Sequence, residues 1–130
     1  MKSEAITFEN MVAVLIRTLP ELKPVYDGEL QLRGEEIGQH IIYRYVMYAE
    51  IERQLKLAQT PDEPLLRRLF SFLEILANHP EEAVQEVAHN SVCEKICSDE
   101  VVLQKAMKYA GKRTKEFCGL IIGPARPTEQ

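Results

Sequence analysis

No apolar run in the chain approaches the roughly 20 residues that a membrane-spanning helix requires. Met1-Lys2-Ser3-Glu4 leads into an apolar stretch interrupted by Glu9 and Asn10, which lacks the pattern of a secretory signal. Three cysteines, an odd number, do not read as a disulfide framework. The expected address is the cytoplasm, with reduced thiols and no membrane partner. The six glycines are scattered, so no glycine-rich phosphate loop exists, and no G-x-S-x-G elbow is present. His40, His79 and His89 stand without the neighbouring acids of a triad or the spacing of a zinc motif. The formal net charge of -4 disfavours nucleic acid, whose backbone demands clustered Lys and Arg. These absences leave no catalytic constellation, so a non-enzymatic protein without a cofactor is expected.

What is present is helical periodicity. With 130 residues, 45% hydrophobic and 28% charged, the chain has one domain's worth of core. Residues 7–19 place Phe8, Met11, Val12, Leu15, Ile16 and Leu19 on one stripe behind Thr7 as N-cap. Pro20 ends or offsets that helix, and Pro24 and Gly28 break 20–34 into a short turn and a stretch ending at Gly34. Residues 35–58 read as a long central helix with Ile37, Ile41, Tyr45, Tyr48, Ile51 and Leu55 inward. Its outer side then carries Glu36, Tyr43, Glu50 and Gln54.

Residues 60–77 form the clearest helix. Either Thr60 caps it with Pro61 at the first position and Glu63 completing a capping box, or Asp62 is the cap. Leu65, Leu66, Leu69, Phe70, Phe72, Leu73, Leu76 and Ala77 make it the spine of the core. Asn78-His79-Pro80 turns the chain into a helix over 81–97, an antiparallel pair resembling one unit of a HEAT-like stack. Ser98 is expected to cap the next helix, Gly111 to stop it in a left-handed conformation, and Thr114 to cap the last. The fold class expected is all-α. It comprises a single-domain bundle of about five to seven helices over 1–122, with a flexible tail over 123–130 that has nothing apolar to anchor it. No segment alternates convincingly with period two.

His89, Cys93 and Cys97 recur every four residues on one helix side and could in principle offer soft ligands to zinc. Spread over consecutive turns, they span roughly 12 Å along the axis, too far for one ion, so no metal is expected. Lys105, Lys108, Lys112, Arg113 and Lys115 mostly follow a helix end, where cations complement the dipole. The acids Asp27, Glu29, Glu35, Glu36 and Glu50, with Tyr43 as an aromatic anchor, form the expected surface for a basic protein partner. Set against this are a solvated acidic face and, from another class, an enzyme built on a buried carboxylate pair.

Specific text adds to this reading. Phe72 to Ala77, Val84-Gln85, Ser91-Val92-Cys93-Glu94 and Gly111 to Lys115 resemble a family of small uncharacterised bacterial helical proteins. Tyr26 to Glu36 and His40 to Tyr48 are similar more loosely. Such proteins are often encoded beside polymorphic toxins. The resemblance therefore implies an immunity protein that binds a cognate toxin one to one, with a general helical adaptor or scaffold subunit as the alternative. It implies no catalytic residue.

Overall fold

The structure, a computed structural model, describes residues 5–122, the side chains of 120–122 excepted. Among the described residues there are seven helices and no strand, so the all-α bundle anticipated from periodicity is what the chain forms. The proposed tail over 123–130 lies outside the described residues. No described helix is long and apolar enough to cross a membrane.

Helix α1 (Met11–Thr18) starts later than the hydrophobic stripe suggests. Thr7 closes a separate turn first: its Oγ1 accepts from Asn10 N at 3.1 Å, while its own N–H donates to Asn10 Oδ1 at 2.7 Å. A tight helical turn (Pro20–Leu22) leads into α2 (Lys23–Arg33), which has Pro24 in its first turn. Gly34 ends α2 at φ 95°, a conformation that glycine adopts without steric cost.

Helix α3 covers 39–57 without a break, but two of its stretches, Tyr43–Tyr48 and Arg53–Leu57, are wound as π-helix. Helix α5 (82–97) contains a third, Val87–Cys93. An i→i+5 bond encloses an extra residue per turn, so mixed winding brings the repeat to about four rather than 3.6 residues. Burial follows that repeat. In α3 the pairs Ile42/Tyr43, Val46/Met47, Glu50/Ile51 and Gln54/Leu55 are buried, and in α5 Val84, Ala88, Val92 and Ile96 are. Tyr45, placed inward by a 3.6-residue projection, is therefore exposed.

Helix α4 (Glu63–Ala77) is capped by Asp62, whose Oδ1 accepts from Leu65 N at 3.1 Å, and this decides between the two caps the sequence allowed. Leu65, Leu66, Leu69, Phe70, Phe72, Leu73, Leu76 and Ala77 are all buried. The link at 78–81 sends α5 back antiparallel to α4. His79 organises that link. Its Nδ1 accepts from Glu81 N at 3.0 Å, which leaves Nε2 as the donor to Ile6 O at 2.7 Å.

Three more helix ends differ from expectation, at Ser98, Thr114 and Gly111. Helix α6 (Glu100–Ala106) is capped by Asp99, which accepts from Val101 N and Val102 N; Ser98 instead donates to Lys95 O. Helix α7 (Lys112–Ile122) already contains Thr114, which is buried inside it. Its first N–H groups are met from another helix: Glu74 of α4 accepts from Arg113 N at 2.8 Å and from Thr114 N at 2.9 Å. Gly111 has no positive φ. Glycine serves there for space, because a Cβ would lie 2.5 Å from Glu74 Cδ.

Candidate functional site

The acids expected to meet a partner divide into two groups. Asp27, Glu29, Glu35 and Glu36 lie on α2 and the loop after it. Asp27 pairs with Lys23 at 3.1 Å and Glu29 with Arg33 at 2.5 Å, while Glu35 and Glu36 are exposed. Tyr43 and Glu50 must be corrected, because the slow winding of α3 turns both inward. Tyr43 is fully buried, and its hydroxyl donates to Met11 O at 2.6 Å. Burial pushes that phenol far above its ordinary range. Glu50 is buried under Arg53, which donates to both of its carboxylate oxygens at 3.2 and 2.6 Å. Gln54 also donates to Glu50 at 2.8 Å and accepts from Asp62 N at 2.7 Å, linking α3 to the start of α4. Both residues hold the core together and neither forms part of a free surface.

The remaining acids stand beside an unusual helix. None of the eleven residues of α2 is buried. Tyr26 is half-buried against the core, Leu30 is half-buried, and Val25 and Leu32 are exposed, Leu32 at 73%. Two hollows open between α1 and α2, one of about 570 Å³ and one of about 300 Å³, and Ala13 and Tyr26 line both. The smaller has an apolar floor of Val12, Leu30 and Ile37, with Glu9 and Glu35 also lining it. Glu9 and Glu35 are exposed, and neither has an ion pair among the described residues. Together the two hollows make a trough whose smaller end is bordered by the acids Glu9 and Glu35 and whose larger, more apolar end is bordered by Arg17 and Lys23.

A second concavity lies between α3 and the end of α5. It encloses about 320 Å³ and is lined by Arg44, Tyr45, Tyr48, Glu52, Lys95 and Asp99, among others. Tyr45 lies under the Arg33 guanidinium, 4.4 Å from ring centroid to Cζ, with Arg44 at 5.6 Å. Burial, reinforced by Glu52 and Asp99, pushes the Tyr48 phenol up to about 12. This cleft had no signal in the sequence beyond the Tyr-Arg-Tyr text at 43–45, because it depends on which way the wide turns face.

The cysteines gather around the α5–α7 contact. Cys93 and Cys118 are buried, Cys97 is half-buried, and all three are free thiols. Cys97 Sγ approaches Cys118 O at 3.9 Å. Hydrogen bonding to Cys93 and burial, opposed by hydrogen bonding to Cys97, push the Cys118 thiol up to about 12. His89 packs edge-on against Phe117 at 4.8 Å and contacts Asn90 Oδ1 at 3.0 Å. Among the described residues no three His, Cys, Asp or Glu side chains are arranged to hold a metal ion.

Fold and surface together define a class: a single all-helical domain carrying a trough with acids at its smaller end and a mixed-charge cleft. The chain belongs to the family defined by a domain of unknown function, DUF7674, which matches residues 12–120. No curated protein matches the chain, and no solved structure does.

Proposed function

We propose that this chain is a protein-binding domain whose α1–α2 trough takes a basic, apolar-tipped segment of a partner. The observation that supports this is α2 itself. A helix with no buried residue adds little to the core, yet it forms one wall of an apolar trough. Glu9 and Glu35 supply unpaired charge at its edge. An aliphatic side chain flanked by Lys or Arg complements that surface in both respects. The immunity reading is the specific form of this proposal: the partner is a toxin encoded beside this chain, bound one to one, its active site or substrate surface covered. The general alternative is a helical adaptor with a non-toxic basic partner.

Co-expression of the chain with the protein encoded next to it should restore growth, and the two should co-purify near one to one. Glu9→Lys with Glu35→Lys should slow association by about tenfold or more at low salt. The difference should shrink at higher salt, since steering by surface charge is screened beyond about 10 Å at 0.1 M. Stable binding without rescue of growth would favour the adaptor. Association unchanged by the double charge reversal would remove the trough from the interface.

A further inference from the structure

Two contacts establish how α3 and α5 lie relative to each other. His40 Nδ1, at the start of α3, is 2.7 Å from Ser91 Oγ, past the middle of α5. Lys56 Nζ, at the end of α3, is 2.5 Å from Asp99 Oδ2, just beyond the end of α5. The helices therefore run parallel, and their charged residues line the cleft between them in order. Lys95, one turn before Asp99, stands level with the Arg44–Tyr48 turn. Asp99 stands level with the Glu52–Lys56 turn. Lys56 offsets Asp99 there, so the charges left open along the cleft are Arg44 and Lys95 towards one end and Glu52 towards the other.

The groups left without partners sharpen that polarity. Asp99 is fully engaged by Lys56 and by the N–H groups of Val101 and Val102. Arg44, Lys95 and Glu52 have no ion pair or hydrogen bond with any described residue. The Tyr48 side chain is only 6% exposed, and its hydroxyl is bonded to no described residue. No fully buried polar atom lacks a partner, so the Tyr48 oxygen reaches open space, and that space is the cleft.

We propose that this cleft binds a small zwitterion of amino-acid to dipeptide size, its carboxylate at Arg44 and Lys95, its ammonium at Glu52, and the Tyr48 hydroxyl donating between them. A planar guanidinium beside an ammonium suits a carboxylate. Arg44 and Glu52 are separated by roughly 12 Å along α3. Both side chains line the same cleft, so their charges lie within reach of one short molecule. A lone phosphate is a poorer fit, because Glu52 repels it. The volume, about 320 Å³, matches a small ligand. The proposal does not depend on the trough or on any protein partner.

The test is an NMR titration of the full chain with L-alanyl-L-alanine, its N-acetylated form, its C-terminal amide, and inorganic phosphate. The dipeptide should shift amides confined to 44–52 and 95–99. Each blocked form should bind at least about tenfold more weakly, because each loses one charge-assisted contact. Tyr48→Phe and Glu52→Gln should weaken binding while melting as the parent does, since neither removes an internal hydrogen bond. The absence of localised shifts at millimolar dipeptide would overturn the proposal. Equal binding of phosphate and of the acetylated dipeptide, unaffected by Glu52→Gln, would make the cleft a simple anion site and overturn it equally.

Discussion

The residue that does most beyond its own helix is Glu74. Burial works to raise its carboxyl, but the N–H groups of Arg113 and Thr114, the Thr114 hydroxyl and the Asn78 amide outweigh burial and hold it below its ordinary 4.5. It thus serves as the N-cap of α7 from a position far away in the chain. Gly111 leaves room for this arrangement. Gly111→Ala should displace the carboxylate and cost about 1–3 kcal/mol in urea unfolding at pH 7, and Glu74→Gln should cost a similar amount. The pH dependence has a definite sign. A depressed carboxyl contributes stability that is present above its unfolded value and is lost as pH falls through its folded one. The gap between parent and Glu74→Gln should therefore narrow below about pH 4.5 and stay constant above it; a gap that widens in acid would contradict the assignment. Nothing local to Glu74 or Gly111 announced this contact. The periodicity of α4 was legible because it repeats within a few residues, whereas the acceptor for the α7 N–H groups lies some forty positions away.

At the scale of elements, α2 and α4 are opposites. Helix α4 buries eight side chains and α2 none. Helical stability in proteins comes largely from packing an apolar face, and isolated helices of about a dozen residues are marginal. The Lys23–Asp27 and Arg33–Glu29 pairs on α2 add only tenths of a kcal/mol each. Its amides should exchange with solvent through local opening, at least about a hundredfold faster than those of α4 between Leu66 and Leu76. Hydrogen exchange resolved by NMR measures this, and equal protection of the two helices would mean that α2 is held by more than the contacts described. Binding in the trough should slow exchange in α2 selectively. The existence and type of α1, α3, α4 and α5 were readable from spacing, as was the hesitant character of 20–34. The winding of α3 was not, because the choice between i→i+4 and i→i+5 bonds is made by what packs on each side. Reading 35–58 at 3.6 residues per turn was enough to put Tyr43 and Glu50 outside and Tyr45 inside, the reverse of their positions.

At the scale of the whole molecule, one continuous core joins all the helices except α2, whose Tyr26 alone packs on it in part. Leu69 sits at the centre of α4 with no exposure, so Leu69→Ala should cost about 2–5 kcal/mol, measured by chemical unfolding. A cost under about 1 kcal/mol would mean the site collapses around the missing atoms. The apolar spacing of the sequence by itself determined an all-α domain, the buried spine of α4 and the antiparallel turn into α5, because apolar spacing, prolines and short links act over a few residues. The sequence also showed a surplus of acids around 27–36, of which the structure places Glu35 at the trough. Only the tertiary structure decided which acids are free, since Asp27, Glu29, Glu50 and Asp99 are paired while Glu9, Glu35 and Glu52 have no ion pair among the described residues. It alone set Arg44 and Tyr48 opposite Lys95, far away in the chain. The physical reason is that a charge has a meaning for binding only once its neighbours in space are known, and those neighbours come from helices whose relative rotation no local pattern encodes.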